Sequence, residues 1–511
     1  MQKSYTWPQP WEKEPPFSGL PTLFKSFRES AGSATVFLLD SFDWRLFRQG
    51  RVLLLTAGGR YSLFDMKSGR EEASLMLEGD GPVRFCTDFP DCPLALLLRP
   101  VLEMRALLSH GPFLREWVLH EFYRDEKTLL ALGLWEKLGL CGEGQDLPAC
   151  GQYHVRSLKD QPKAAKKLGR HLEDLGFQPT DEDLYGLLLE ATGQNPKARR
   201  RIVLEAGTPA REAVFLLLQD LFRTMEENQP GIREDIDTEF LHDFRVAARR
   251  MRSLLSQMRT ALGAETGTTL REGLKAMGQI TGELRDLDVL LLRASRFRAL
   301  LPAALAPGLD SLFQELRERR GQIRERMLKG MDGITFSSTL KELAALTGEG
   351  IGSGPDGERP IGDLVTEALS AQHRRILRRG RKIRPDSPDA LFHALRIDCK
   401  KLRYLLEFSA SLFSEKEVKR LLDHLKDLQE NLGSFNDLSI QKVFFLSRLK
   451  VLEGREQQLS LAEAAALGGL LTAFEREQEA CRREFFFFFE TFVADSRRFG
   501  KLLGRKADGK A

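Results

Sequence analysis

From Gly207 to about residue 500 the apolar positions recur at helical spacing, whereas residues 1 to about 158 carry short apolar runs broken by turn signals. In the N-terminal region, Ala34–Leu39, Val52–Thr56 and Trp117–Phe122 are separated by Gly50, Gly58-Gly59, Gly69 and Gly79–Pro82, which predicts strands joined by turns. Helical periodicity begins near Pro162. There AAKKLGRHLEDLGF and DEDLYGLLLEAT read as short helices with Asn195-Pro196 behind them, expected to form a helical linker over 159–204 or a terminal appendage of the first domain. Residues 205–500 are expected to be all-helical, in halves of about 205–347 and 361–500 joined by a Gly-rich, exposed connector, Gly348 to Gly362. The predicted fold class is α+β multidomain, a strand-rich domain followed by an all-α one.

The helical region carries a single polar pattern twice, at a constant offset of 151 residues. His242, Arg245, Arg249, Arg252, Lys275, Gly282 and Asp286 recur as His393, Arg396, Lys400, Arg403, Lys426, Gly433 and Asp437. Leu254, Leu255, Leu274 and Leu287 recur as Leu405, Leu406, Leu425 and Leu438, so the pattern is an internal duplication. At about 100° per residue the spacing i, i+3, i+7, i+10 keeps each basic set on one stripe roughly 80° wide. Phe244, Ala247, Ala248, Met251, Leu255 and Met258 fall on the opposite stripe of the first helix, and Leu395, Cys399, Leu402 and Leu406 on that of the second.

Solvated helix faces usually mix charges, because like charges at i, i+4 weaken a helix while opposite ones support it. The first stripe carries no carboxylate, and in the second Glu407 is placed to pair with Arg403. Repulsive geometry kept twice points to an anion that fills the face. The net charge is only +4 over 511 residues, so a polyanion site has to be a local concentration of charge and not a general coat. No tyrosine, tryptophan or phenylalanine interrupts either stripe, which favours a polyanion without bases over single-stranded nucleic acid. Neither histidine has a second His, Cys or carboxylate at i+3 or i+4 for a helical metal pair, so no metal and no cofactor is implied.

The start MQKSYTWPQPW has no apolar signal region, and no stretch reaches the ~18 apolar residues of a membrane span. Six cysteines without a CxxC pair suit a reducing compartment, and the expected location is cytoplasmic. Two further runs stand out. Phe485 to Phe489, flanked by Glu484 and Glu490, puts phenylalanine all round a helix, to be wedged between helices or left as a docking face. His373 to Arg384 (HRRILRRGRKIR) has no equally basic partner in the first half, and reads either as an extension of the cationic surface or as a solvated helix end; Lys501 to Ala511 reads as a basic tail.

The repeated H-x2-R-x3-[RK]-[RK]-x-R, followed by Lys275 or Lys426 and by TGELRD (Thr281 to Asp286) or LGSFND (Leu432 to Asp437), resembles the CHAD domain, the conserved-histidine α-helical domain, from about Leu204 to Gly500. The resemblance implies two pseudo-symmetric four-helix bundles lining a basic cavity, non-catalytic binding of inorganic polyphosphate, and association with polyphosphate granules. Carried over residue by residue, the implied polyphosphate ligands are His242, Arg245, Arg249, Arg250, Arg252 and Lys275, with His393, Arg396, Lys400, Lys401, Arg403 and Lys426. Lys400 and Lys401 keep the charge of Arg249 and Arg250 but lose the bidentate fork. Gly282 and Gly433 read as helix ends or close approaches, and Asp286 and Asp437 as groups that cap a helix or hold a cavity arginine.

Val36 to Leu55 resembles the strand, turn and strand of the CYTH family, the triphosphate tunnel barrels. That family opens on an E-x-E-x-K strand whose carboxylates hold divalent metals. Here Glu12-Lys13-Glu14 is the nearest sequence in residues 1–35, and two prolines follow it. Val52 to Leu55 is wholly apolar where cations are expected. The N-terminal domain is therefore expected to be a degenerate CYTH-like barrel or an unrelated α+β domain, without triphosphatase activity. Two alternatives stand beside polyphosphate binding, a metal-dependent triphosphatase or polyphosphatase acting through that domain, and a nucleic-acid-binding protein.

Overall fold

The computed structural model describes residues 2–7, 17, 20, 23–79, 81–140, 150–158, 162–194, 202–349, 353–453, 460–494 and 499–500. The chain divides into two compact units, Met1–Arg200 and Arg201–Ala511. Among the described residues no helix is long and apolar enough to cross a membrane.

The first unit is a nine-stranded antiparallel sheet. Its strands are β1 (Gln2–Thr6), β2 (Ser26–Asp40), β3 (Arg51–Thr56), β4 (Arg60–Asp65), β5 (Arg70–Met76), β6 (Leu108–Tyr123), β7 (Leu129–Leu140), β8 (Cys150–Ser157) and β9 (Gln178–Thr180), in the order β5-β4-β3-β2-β6-β7-β8-β1-β9. Helices α1 (Arg45–Arg48), α2 (Pro93–Leu102), α3 (Pro162–Asp174) and α4 (Leu184–Ala191) accompany it. Successive strand residues point to opposite faces, and here both faces are covered. Leu39, Leu53, Leu55 and Leu63 pack with Leu94, Leu98 and Leu102 of α2, while Val36, Leu38, Val52 and Leu54 pack with Leu184, Leu188 and Leu189 of α4. Double burial accounts for the uninterrupted apolar run Val52–Leu55.

The strand-rich reading overlooked α2, which begins after the N-cap Cys92 with Pro93 in its first turn and buries Leu94, Ala95, Leu98, Val101 and Leu102. The stretch expected as a linker is built into the unit: α3 buries Ala164, Ala165, Leu168 and Leu172 against Tyr5, Tyr153 and Val155, and β9 pairs with β1. The strand, turn and strand from Val36 to Leu55 hold, with α1 in the turn. Buried Asp40 accepts hydrogen bonds from the backbone N–H groups of Ser41, Leu46 and Phe47 (2.7, 3.0 and 2.9 Å), and burial nevertheless raises its pKa to about 6.

The second unit is helical: α5 (Ala210–Arg233), α6 (Thr238–Gln257), α7 (Ala264–Ile280), α8 (Gly282–Leu292), α9 (Ala294–Ala299), α10 (Asp310–Met331), α11 (Ile334–Glu349), α12 (Ile361–Gly380), α13 (Asp389–Phe408), α14 (Glu415–Glu453) and α15 (Leu461–Ala494). The starts of α5, α6, α7 and α10 return 151 residues later as the starts of α12, α13, α14 and α15. The duplication is therefore a four-helix unit, broken in the first half (α7 from α8, α10 from α11) and continuous in the second. Pro209 bridges Pro360, its own duplicate, and α6 packs on α13, so the halves meet about a pseudo-twofold axis.

The described segment of the connector, residues 353–362, is pinned instead of freely exposed. The N–H groups of Gly354 and Asp356 donate to Ala261 and Thr260 carbonyls (3.2 and 2.9 Å), and a Cβ on Gly354 would stand 2.3 Å from the Leu262 oxygen. In the Phe run, Phe485 and Phe489 are buried and only Phe487, 68% exposed, faces outward. Phe392 lies between Phe435 and Phe485, with ring centroids 4.5 and 5.2 Å away. The basic tail, Glu12-Lys13-Glu14 and Asn195-Pro196 lie outside the described residues.

Candidate functional site

The apolar stripe of α6 (Phe244, Ala247, Ala248, Met251, Leu255, Met258) is buried, as is that of α13 (Leu395, Cys399, Leu402, Leu406). Burying those faces turns the two basic stripes toward a shared cavity of about 700 Å³. His242, Arg245 and Arg249 line it from α6, and Arg396 and Lys400 from α13. Helices α8, α10 and α14 complete the walls with Arg285, Arg319 and Asn436 among others, and Arg293, just after α8, joins them. Three carboxylates, Glu283, Asp286 and Asp437, are interspersed.

The duplicated glycines lie beside the stripe arginines. Arg245 Nη1 donates to the Gly278 carbonyl (2.7 Å) and to Thr281 Oγ1 (2.8 Å) at the break between α7 and α8. A Cβ on Gly282 would lie 3.6 Å from that Nη1, and one on Gly433 4.0 Å from Arg396 Nε. Both are ordinary van der Waals distances, and Gly433 sits inside α14, so neither close approach nor helix termination is common to the two positions. Asp437 accepts a hydrogen bond from Arg293 (2.8 Å) and lies 3.8 Å from Arg396. Asp286 faces Arg245 and Arg285, yet burial holds its carboxyl above the usual range.

Arg249 and Lys400 face the cavity from different halves without an ion pair among the described residues. Burial, followed by repulsion from Arg396, Arg249 and Arg403, lowers the Lys400 ammonium to about 8 against a partial offset from Asp437. The same two causes lower Arg245 and Arg396: burial first, then Arg249 among the neighbouring charges. An anion in the cavity would relieve all of these penalties together.

Other predicted ligands stand apart from the cavity wall. Arg250 is paired with Glu407 across the two halves, and Glu407 also takes Arg403 at 3.3 Å, the pair expected from their spacing. Both guanidinium groups lie over the Tyr404 ring, 5.5 and 5.6 Å from its centroid. His393 shares a hydrogen bond with Asn436, a wall residue. Arg252, Lys275, His393 and Lys426 are exposed, Lys401 is half-buried, and none of these five lines the cavity. Lys426 lies 3.6 Å from Glu430.

Sequence reasoning missed Arg285, Arg293 and Arg319. Their counterparts 151 residues on are Asn436, Phe444 and Leu470, so a search for what the duplication kept passes over them. Arg285, inside TGELRD, was the one within reach.

The first unit has a larger cavity, about 1190 Å³, lined by Ser4, Arg48, Lys67, Gln152 and Asp183 among others. Beside it a buried polar row crosses β6, β7, β8 and β1. Glu136 Oε1 accepts from Arg115 (2.5 Å) and from the Tyr185 hydroxyl (2.6 Å), and His154 Nδ1 lies 3.0 Å from Ser4 Oγ. The first strand, QKSYT, carries no carboxylate. Among the described residues no group of three or more His, Cys, Asp or Glu is placed to hold a metal ion.

The CHAD domain profile matches residues 216–446. Two curated relatives, described only as uncharacterized proteins from two strains of Mycobacterium tuberculosis, are each 35% identical over 86 residues, a match spanning 17% of this chain and 17% of the relatives' length. The crystal structure of the CHAD domain from the plant Ricinus communis aligns with 56% of this chain and 95% of its own at 22% identity, with a TM-score of 0.45. PptA from Streptomyces chartreusis aligns with 55% of this chain and 100% of its own at 19% identity, with a TM-score of 0.43.

Proposed function

Since residues 216–446 are a CHAD domain, we propose that this chain binds inorganic polyphosphate, without chemistry, in the cavity between α6 and α13. The observation that carries the reading is the opposed pair Arg249 and Lys400, cations from two halves that face one cavity and make no ion pair among the described residues. A linear phosphate chain supplies closely spaced negative charge and needs only a row of donors, with no platform for bases. Binding at this site would bring the protein to polyphosphate granules.

Titration with polyphosphate of defined length at two salt concentrations, alone and against single-stranded RNA of equal charge, tests the reading. Polyphosphate is expected to bind more tightly than RNA, with affinity falling as salt rises. Preference for RNA would favour a nucleic-acid function instead.

A pH dependence follows. Bound phosphate raises the pKa of Lys400 from its value of about 8 in the free protein, so binding takes up protons near that pH. The sign is fixed: affinity is highest below about 8 and falls as pH rises through it, because the free ammonium then has to be recharged. Calorimetry at pH 8 in buffers of different ionisation enthalpy is expected to show uptake of roughly half a proton per site, abolished by Lys400→Arg.

For the N-terminal unit we propose a degenerate CYTH-like sheet without triphosphatase activity. Supporting this, its inward cations Arg115 and Arg105 are already paired with Glu136 and Asp43, and its first described strand offers no carboxylate for metal. Tripolyphosphate incubated with Mg²⁺ or Mn²⁺ is expected to release no phosphate above background, and metal-dependent release would overturn the assignment.

A further inference from the structure

The end of α12 carries a second set of cations, outside the cavity. At about 100° per residue, Arg374, Arg378 and the C-cap Arg381 fall within an arc of about 60°, and Lys382 follows in the turn just past the helix end. Arg375 and Arg379 lie on its flank and turn to the buried carboxylate of Asp398, at 3.7 and 2.6 Å. The four outward cations and Arg384 are exposed, and none lines the cavity. None of the five makes an ion pair among the described residues; Arg384 Nη1 donates only to the Arg381 carbonyl (3.1 Å).

Elsewhere in the helical unit some exposed arginines are matched, Arg211 by Glu358, Arg233 by Asp332 and Arg296 by Glu477, and others, such as Arg223 and Arg317, make no ion pair among the described residues, so it is the gathering of five together that sets the end of α12 apart. It also differs from the other copy. The first-half counterparts of Arg378, Arg381 and Lys382 are Glu227, Pro230 and Gly231, so only one copy holds the row. The helix dipole favours positive charge in the last turn, which accounts for single residues there. It does not account for the like-charge i, i+4 pair Arg374/Arg378, which weakens the helix unless an anion lies along it, nor for the further exposed cations Arg381, Lys382 and Arg384 gathered beside it. No aromatic side chain stands among the outward positions, so the row has nothing on which a base would stack.

We propose that the outer face of α12 is a second polyphosphate surface, which holds the stretch of a long chain that the cavity does not enclose. The proposal rests on the polyphosphate reading of the cavity and adds length selectivity to it, because a chain that reaches both sites gains avidity that a short one lacks.

The test compares tripolyphosphate with a chain of several hundred phosphates on wild type, on Arg374→Ala/Arg378→Ala/Arg381→Ala/Lys382→Ala, and on Arg249→Ala/Lys400→Ala. The α12 variant is expected to keep wild-type affinity for tripolyphosphate. Its affinity for the long chain is expected to drop about tenfold or more, and its log-log salt slope by about 3, at roughly 0.7 per lost contact. Unchanged long-chain affinity, or an equal loss at both lengths, overturns the proposal. If the cavity variant keeps long-chain binding that the α12 variant loses, the cavity reading fails and the α12 surface stands; if wild type binds neither ligand, both fall. Displacement of the long chain from the cavity variant by RNA of equal charge, at equal concentration, also overturns the assignment to polyphosphate.

Discussion

Arg249→Ala/Lys400→Ala is expected to lose polyphosphate affinity by about a hundredfold or more while melting no lower than wild type. Charge-assisted hydrogen bonds contribute about 1.5–3 kcal/mol each, so two of them correspond to roughly two to four orders of magnitude in affinity. The stability side has the opposite sign from an ordinary truncation. Lys400 in the folded protein sits at about 8, below the ordinary lysine value of 10.5, so its charge opposes folding at pH 7 and that opposition fades only as pH rises from about 8 towards 10.5. Removing it relieves repulsion with Arg396 and Arg249, and neither truncated side chain takes part in an ion pair among the described residues. A melting curve beside a calorimetric titration checks both signs. Parallel loss of stability and affinity would mean that the cations hold the fold together instead of waiting for an anion.

Glu136→Ala is expected to produce the largest loss of stability in the N-terminal unit. Its side chain is 2% exposed and neutralises Arg115, itself 12% exposed, while accepting from Tyr185. Deleting one partner of a buried pair strands the other charge, at a cost of about 3–5 kcal/mol. For a unit of this size that corresponds to a fall in melting temperature of about 10 °C. Burial, the largest influence, pushes the Glu136 carboxyl up, but Arg115, His154 and Tyr185 together outweigh it and hold the group below its ordinary range. Its contribution is therefore present above the unfolded carboxylate pKa and lost as pH falls through the lower folded value. Differential scanning calorimetry between pH 7 and pH 3 should show wild type converging on the variant as the acid end is approached. A shift of under 1 °C at pH 7 would contradict the role given to the pair.

The helical unit was legible because its duplication preserved two complementary features, an apolar stripe that must be buried and a basic stripe that must then point elsewhere. His242, Arg245, Arg249, Arg396 and Lys400 come together as that logic requires. Spacing along one helix cannot tell which stripe residue a neighbouring helix will claim. Glu407 takes both Arg250 and Arg403, a pairing across two halves of which i, i+4 reasoning sees only the second. Arg293 became a wall residue through chain topology alone, without a mark in the repeat. In the N-terminal unit the strands showed as apolar runs between glycines, but α2 was missed because its apolar residues sit in a region already read as strand. The glycines of the connector promised freedom and instead permit close packing against Thr260–Leu262. Glycine in sequence does not distinguish those two uses.

The most direct test of the central claim is amine labelling of the native protein at pH 8, read residue by residue by mass spectrometry with and without long-chain polyphosphate. With its ammonium at about 8, Lys400 should label readily in the free protein and be protected by polyphosphate, while exposed Lys275 and Lys426, outside the cavity wall, remain as reactive as before. Protection of Lys275 and Lys426 with Lys400 left reactive would place the ligand outside the cavity and contradict the account.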